Sequence, residues 1–191
     1  MPKHRSWSTV LDEHKHVVAA LADQGATLDA IADAIIAALQ AGRHVFVVGN
    51  GGSAADAQHI AGELLGRYKL DRPALPVTAL STDTSTLTAI ANDLGYERIF
   101  ARQLEGLAQP GDVVWALSTS GSSPNILAAA RTARDRGAVM IGFTGQAGAK
   151  LAALCTHVFR APHKSSDRIQ EAHLLAYHYI CERVEGVLAG T

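Results

Sequence analysis

Four side chains that can hold a metal ion or move a proton occur as two pairs with helical spacing. His59 and Glu63 are four residues apart, so a helix would place them on one face. Gln170 and His178 are about two turns apart in a second predicted helix. Two such helices can form a tetrahedral nitrogen and oxygen site, which suits zinc but also nickel, cobalt or manganese. The alternative for His59 and Glu63 is an ordinary helical hydrogen bond or ion pair. His173 is either a competing ligand or a buried, hydrogen-bonded histidine.

A glycine-rich segment directly precedes the first pair. Residues 49–53 read Gly-Asn-Gly-Gly-Ser and connect an apolar run to a segment with helical periodicity, which predicts a strand, a loop and a helix. Glycine allows close approach of the backbone to a ligand, and the first amides of a helix favour an anion. Because Ser53 adds a hydroxyl donor, the loop predicts a phosphate site. A P-loop and a dinucleotide-binding loop are both poorly supported, because the Lys-Ser/Thr ending is missing and Ala54 departs from the dinucleotide fingerprint.

Another predicted strand ends in a segment rich in hydroxyl groups. The apolar run 113–117 is followed by Ser118, Thr119, Ser120 and Ser123, and then by a predicted helix. Hydroxyls and backbone amides can surround a phosphate without a lysine or an arginine. The alternative is a helix cap with incidental serines. Two loops of this kind at one sheet edge favour the phosphate interpretation.

Three further polar residues lie at predicted helix ends. Asn92 and Asp93 end one helix, and Asp167 precedes the last helix of the chain. Each can cap a helix or bind a sugar hydroxyl, and the residues alone leave both interpretations open.

Strands and helices that position these residues alternate along the chain. The apolar runs that predict strands are 44–48, 77–80, 113–117, 138–143 and 156–159. This alternation predicts an α/β fold in which a parallel sheet is covered by helices on both faces, within one domain of residues 1–191. Ligands of such sheets bind beyond the carboxyl ends of the strands, where both polar loops lie.

Residues 1–41 precede the first strand and predict a helical pair broken near Gly25. One apolar stripe of this pair contains Leu28, Ile31, Ile35 and Leu39. A helical pair outside the sheet often forms an oligomer interface, so we expect self-association. The alternative is that the pair packs on its own sheet.

Composition excludes several classes of protein. The net charge is −1 with acidic and basic residues interspersed, which argues against nucleic-acid binding and against a polybasic membrane patch. The apolar runs are far shorter than a membrane span. Cys155 and Cys181 fit no metal-binding or redox spacing, and the amino terminus lacks a signal-peptide pattern, so we expect a cytoplasmic protein.

Four segments together resemble the sugar isomerase (SIS) fold and, more narrowly, the phosphoheptose isomerases. They are residues 49–59, 87–93, 117–123 and 167–173, and they follow in the right order over nearly the whole chain. The resemblance implies a three-layer α/β/α sandwich with a five-stranded parallel sheet, and a homotetramer. It also implies conversion of D-sedoheptulose 7-phosphate to D-glycero-D-manno-heptose 7-phosphate, the first step of nucleotide-activated heptose synthesis.

The same resemblance implies roles for individual residues. Phosphate would be held by Ser53, Ser118, Thr119, Ser120 and Ser123. The sugar would be lined by Asn50, Gly51, Gly52, Glu63, Asn92, Asp93 and Gln170. One zinc ion per subunit would be bound by His59, Glu63, Gln170 and His178. Glu63 and His178 would also be the acid–base pair for a reaction through a cis-enediolate.

Two other functions are compatible with this fold. A non-catalytic relative would bind phosphosugars or a partner such as DnaA, but such relatives lose the catalytic residues that this sequence retains. An isomerase of another phosphosugar is the second alternative. Residues 161–166, where the resemblance is weakest, could alter substrate preference.

Overall fold

The computed structural model describes residues 4–190, so residues 1–3 of the predicted amino-terminal region and residue 191 lie outside the described chain. Five parallel strands form one sheet in the order β2-β1-β3-β4-β5. The strands are β1 (Val45–Gly49), β2 (Val77–Ala79), β3 (Val113–Ser118), β4 (Val139–Thr144) and β5 (His157–Arg160). The α-helices are α1 (Trp7–Ala19), α2 (Gly25–Gln40), α3 (Gly52–Ala61), α4 (Thr84–Leu94), α5 (Ala101–Leu107), α6 (Pro124–Asp135), α7 (Ala149–Ala152) and α8 (Ser166–Leu188).

The sheet is covered on both faces, which explains the continuous apolar runs of its central strands. Every residue of β1 and β3 is buried. Side chains of α2, α3 and α8 pack on one face, and side chains of α5, α6 and α7 pack on the other. A parallel sheet needs such cover because both of its faces are apolar. The predicted three-layer α/β fold with a five-stranded parallel sheet is confirmed.

The two amino-terminal helices differ in how they pack. The predicted stripe of α2 lies in the core of the chain, where Ile31 and Ile35 are fully buried. In α1, Val17 is the buried apolar side chain. For α2 the structure therefore shows the second alternative, packing on its own sheet. An interface role for α1 stays a prediction.

The order of the strands reverses between β1 and β3. The chain runs from β1 to β2 on one side and returns to place β3 on the other side of β1. Gly49 and Leu117 are partners in the parallel register, so the glycine loop (residues 49–53) and the serine loop (residues 118–123) leave neighbouring strands at the same edge. This arrangement is the topological switch point at which open α/β sheets bind ligands.

The helix predicted to follow the glycine loop changes its winding before it ends. Its regular part stops at Ala61, and residues Gly62–Gly66 form a π-helical turn that carries Glu63. Such turns occur frequently at functional sites. Among the described residues, no helix combines the length and the apolar character that a membrane span requires.

Candidate active site

A small polar cavity of about 100 Å³ lies between the glycine loop, the serine loop and α8. Its walls are formed by Asn50, Ser53, Leu117, Ser118, Thr119, Ser123, Ser166 and Gln170. Leu117 and Ser166 are additions to the residues predicted for substrate binding. The first turn of α3 begins in this wall, so the positive end of the helix dipole and several hydroxyl groups favour an anion here.

The glycine loop is shaped by two glycines that the sequence also predicted at the site. Gly51 has a φ angle of +55°, a conformation that favours glycine, and it directly precedes α3. A Cβ atom on Gly52 would lie 2.5 Å from Nε2 of Gln170, so any side chain at position 52 would displace that amide. The loop and α8 are therefore in direct contact through Gly52 and Gln170.

A buried asparagine that the sequence analysis missed connects the two loops. Asn125 lies in the first turn of α6 and is 2% exposed. Its amide group forms a reciprocal pair with that of Asn50, with N–O distances of 2.9 and 2.8 Å. The Tyr96 hydroxyl also donates to Asn50 Oδ1 at 3.1 Å. Asn125 lies between a polar loop and an apolar helical segment, which is also the pattern of an ordinary helix start, so its sequence context carries no distinct signal.

The hydroxyl groups of the serine loop point in two directions. Ser118 Oγ accepts a hydrogen bond from the Gly121 amide at 3.2 Å and lies 3.5 Å from Ser123 Oγ. Ser120 Oγ instead contacts Ser122, accepting from its amide at 3.3 Å. Ser120 lines a neighbouring cavity of about 140 Å³ that also contains Lys164. Ser118 and Ser123 thus face the first cavity, whereas Ser120 faces the second.

The predicted sugar contacts Asn92, Asp93 and Asp167 are absent from the lining of the polar cavity. Asn92 donates to Asp93 Oδ1 at 2.7 Å at the exposed end of α4. Asp167 accepts a short hydrogen bond from Ser165 Oγ and a 3.0 Å hydrogen bond from Arg5. The Ser165 contact, supported by the Arg168 amide and by Arg5 and opposed by burial, lowers the pKa of Asp167 to about 2. Asp167 therefore connects the start of α8 to the amino-terminal region.

His59, Glu63 and His178 form a compact cluster. Their ligand atoms all lie within 4.8 Å of one another. His59 Nε2 is 2.8 Å from Glu63 Oε1 and 3.4 Å from His178 Nε2. Burial and the neighbouring His59 lower the pKa of His178, against the opposing effect of Glu63. Two imidazole nitrogens and a carboxylate that converge in this way have the donor chemistry of a divalent metal site.

The fourth predicted ligand, Gln170, lies in the polar cavity and contacts Gly52. His173, the predicted competitor, is fully buried, with Nε2 3.3 Å from the Thr144 carbonyl oxygen. It packs between Phe143 and Phe159 in the core. Its environment is therefore that of the buried, hydrogen-bonded alternative.

A tyrosine outside the predicted set contacts the other nitrogen of His59. The Tyr177 hydroxyl lies 2.8 Å from His59 Nδ1 and donates to Asp56 Oδ1 at 3.5 Å. Burial raises the pKa of Tyr177 and the pKa of Asp56. The hydroxyl can accept a hydrogen bond from His59 Nδ1–H while it donates to Asp56, and in that tautomer Nε2 offers its lone pair to a metal ion. In the sequence, Tyr177 has the pattern of a core aromatic residue, and its ring is indeed fully buried.

The fold and the site together define a SIS-domain protein. The family model described as SIS domain matches residues 11–145 of the chain. This match includes both polar loops and the first four strands of the sheet.

Individual proteins that are similar to this chain identify its family within the SIS-domain class. The phosphoheptose isomerase of Bradyrhizobium sp. (strain ORS 278) is 55% identical over 163 residues, which cover 85% of this chain and 82% of the relative. The phosphoheptose isomerase of Burkholderia pseudomallei (strain 1710b) is 48% identical over 185 residues, covering 96% and 94% of the two chains. The solved structure of phosphoheptose isomerase GmhA from Neisseria gonorrhoeae matches with a TM-score of 0.88 at 35% identity, over 94% of this chain and 96% of that one. The chain belongs to the phosphoheptose isomerase family, as the sequence segments predicted.

Proposed function

We propose that the protein interconverts D-sedoheptulose 7-phosphate and D-glycero-D-manno-heptose 7-phosphate, the first step of nucleotide-activated heptose synthesis. The observation that carries this proposal is the separation of the polar cavity from the His59–Glu63–His178 cluster along the same two helices. On α3, Ser53 precedes His59 by six residues, a rise of about 9 Å. On α8, Gln170 lines the cavity and His178 belongs to the cluster, and the proposed role of Gln170 as the fourth metal ligand places its amide between the two subsites. A heptose 7-phosphate carries its phosphate and its carbonyl at opposite ends of an extended seven-carbon chain, which suits two such subsites.

The polar cavity is the proposed phosphate subsite. Ser53, Ser118, Thr119 and Ser123 line it with their hydroxyl groups, and the positive end of the α3 helix dipole favours an anion there. Ser120 would contribute from the adjoining cavity. Asn50, Gly51 and Gly52 would line the sugar next to Gln170, and Asn92, Asp93 and Asp167 stay predicted sugar contacts.

The His59–Glu63–His178 cluster is the proposed site of proton transfer. Glu63 takes the proton from C1 of the open ketose, and the cis-enediolate that forms is reprotonated at C2 to give the aldose. His178 moves the protons of the two oxygens; its lowered pKa favours the neutral imidazole, which can accept a proton at neutral pH. We propose His59, Glu63, Gln170 and His178 as the ligands of one Zn²⁺ per subunit, which when bound polarises the carbonyl and hydroxyl oxygens of the substrate.

We further propose that the enzyme is a cytoplasmic homotetramer without nucleic-acid or membrane partners. Exposed apolar side chains on α8, Leu174, Leu175 and Tyr179, support contacts between subunits. Two of them, Leu175 and Tyr179, line an apolar groove of about 260 Å³ together with Val18 of α1 and Leu28 of α2. This groove is the surface at which we expect a second chain to pack.

The decisive experiment combines turnover with isotope exchange. The zinc-loaded protein should convert sedoheptulose 7-phosphate to the aldose, and Glu63→Gln should lower turnover by about 10²–10⁴-fold, since an amide cannot act as the base. The variant should also stop exchange of the C1 hydrogen with deuterated water. Glu105→Gln, which removes a partly buried carboxylate paired with Arg98 and Arg102, is the control and should leave both rates unchanged.

Each contrary outcome has a distinct meaning. A wild-type protein that isomerises a different phosphosugar, or only binds sugar phosphates, would refute the proposed reaction. If exchange at C1 persisted in Glu63→Gln, the carbon-bound proton would belong to His178 and the two roles would be reversed.

A further inference from the structure

A buried carboxylate near the end of α8 holds the segment that follows the π-helical turn. Glu185 is 1% exposed, and its two oxygens accept hydrogen bonds from three consecutive backbone amides. The N–O distances are 2.8 Å for Tyr68, 2.6 Å for Lys69 and 2.9 Å for Leu70. We call residues 67–72 the Glu185-bound loop. An anion enclosed by successive amides in this way fixes the backbone conformation of the whole segment.

The loop is connected to Glu63 through a second buried group. The side chain of Arg72 is fully buried, and its Nε lies 3.2 Å from Glu185 Oε1. Its Nη2 donates to the main-chain oxygen of Glu63 at 2.8 Å. That oxygen belongs to the last turn of a helix, where carbonyl groups need partners outside the helix. Arg72 therefore connects the Glu185 carboxylate to the backbone that carries the proposed base.

The same loop also contacts His178. The ring of Tyr68 stacks on the imidazole with a centroid distance of 5.8 Å and an interplanar angle of 29°. Because the Tyr68 amide is bound by Glu185, the position of this ring depends on the same carboxylate. The Glu185 carboxylate is thus linked to both residues of the proposed acid–base pair, to Glu63 through Arg72 and to His178 through Tyr68.

We propose that Glu185 and Arg72 are positioning residues for proton transfer, acting on Glu63 through its carbonyl and on His178 through Tyr68. This inference rests on the proposed function, and it assigns a role to residues outside the segments that resemble the family. Glu185 remains ionised in its buried position: burial opposes this, but the three amides and Arg72 lower its pKa. The charge thereby keeps the loop and the π-helical turn in one arrangement.

The test compares two isosteric changes at buried carboxylates. Glu185→Gln removes the charge that holds the loop. Asp112→Asn is the matched control: Asp112 is 4% exposed and accepts hydrogen bonds from the backbone amides of His44 and Gln109 at 2.8 and 2.7 Å. Asp112 precedes β3 and therefore lies at the opposite edge of the sheet from the site. Both changes should lower the melting temperature.

Only Glu185→Gln should alter the site. We expect faster hydrogen exchange at amides 68–70, a zinc affinity in chelator competition lower by about 10–100-fold, and a comparable fall in kcat, as is typical when groups behind metal ligands are lost. Asp112→Asn should keep the wild-type zinc affinity and kcat at temperatures well below its melting point. The inference would be overturned if amides 68–70 of Glu185→Gln exchanged faster while its zinc affinity and kcat stayed unchanged. It would also be overturned if Glu185→Gln and Asp112→Asn lost zinc affinity and kcat to the same extent.

A conservative second variant keeps the test valid if Glu185→Gln does not fold. Arg72→Lys retains a buried positive charge beside Glu185, but a single ammonium group cannot replace the guanidinium contacts to both Glu185 and the Glu63 carbonyl. It should lower kcat and zinc affinity in the same direction, and wild-type values would overturn the proposal. Zinc affinity is measured without substrate, so failure of the wild-type protein to isomerise sedoheptulose 7-phosphate would refute the proposed function separately.

Discussion

Removal of the Tyr177 hydroxyl best tests the proposed metal site without changing a proposed ligand. Tyr177→Phe keeps the buried ring and its edge contact with His59, whose centroid is 5.4 Å away. It removes the 2.8 Å hydrogen bond to His59 Nδ1 and the 3.5 Å contact to Asp56 Oδ1. The expected result is a weaker metal site in a protein that still folds.

The magnitude follows from the two groups that lose their partner. His59 loses the contact that fixes its tautomer and ring orientation, and loss of such contacts typically weakens metal binding by about 10–100-fold, or roughly 1.4–2.7 kcal/mol. Asp56 Oδ2 already has no hydrogen-bond partner, so the change also leaves Oδ1 unpaired in a half-buried site. This costs the metal-free protein about 1–3 kcal/mol. For a chain of this size the melting temperature should fall by roughly 2–12 °C.

Two measurements separate these effects. Zinc affinity is obtained by competition with a chromogenic chelator, and thermal unfolding is followed with and without added chelator, since a ligand of the folded state raises the melting temperature. Tyr179→Phe is the matched control, because it makes the same chemical change two residues away, where the hydroxyl donates to the exposed Asp29 at 2.6 Å. If Tyr177→Phe bound zinc as tightly as Tyr179→Phe, the hydrogen-bond chain from Asp56 to His59 would have no role in the metal site.

Two further predictions follow from the cavity and from the core. Ser123→Ala should raise KM for the sugar phosphate by about 10-fold or more, since a charged hydrogen bond contributes roughly 1.5–3 kcal/mol. Ser120→Ala should raise KM less, because the Ser120 hydroxyl faces the other cavity. Equal KM values in steady-state assays of the two variants would refute this division. Burial lowers the pKa of His173 to about 4, against the opposing effect of the Thr144 carbonyl. The unfolded chain therefore binds this proton more readily than the folded chain. The free energy of unfolding should fall by up to about 3 kcal/mol as the pH drops from 6.5 to 4. In urea unfolding experiments across this pH range, the free energy of unfolding of His173→Leu should depend less steeply on pH than that of the wild-type protein. An equally steep dependence would show that His173 is not its source.

The parts of the fold that local sequence patterns control were predictable. Apolar runs of four to six residues and the helical segments between them predicted the parallel sheet, because a strand buried on both faces must be apolar throughout. The chain order then placed the glycine and serine loops at one edge. The spacing of His59 and Glu63 predicted their contact, since residues four apart in a helix are neighbours.

The contacts that orient the site were not predictable, because they join residues distant in the chain. Asn50 and Asn125 are separated by 75 residues, and Tyr68 and Glu185 by 117. Each of these side chains has a common local interpretation as a loop, cap, core or surface residue, and only the packing of α3, α6 and α8 brings the partners together. The π-helical turn at Glu63 likewise has no local signal in Gly62–Gly66, which reads as an ordinary helix end.

Helix α8 carries predicted site residues as well as the unpredicted Glu185. Gln170 reaches the polar cavity, His178 joins the His59–Glu63 cluster, and Glu185 binds the loop after the π-helical turn. The intervals are eight and seven residues, about two turns each, so the three side chains lie along one side of the helix. Because a helix moves as a rigid rod, a shift of α8 would displace all three at once. The buried Arg72–Glu185 pair near one end of α8 and the Gly52–Gln170 contact near the other therefore enclose the part of the helix that carries His178.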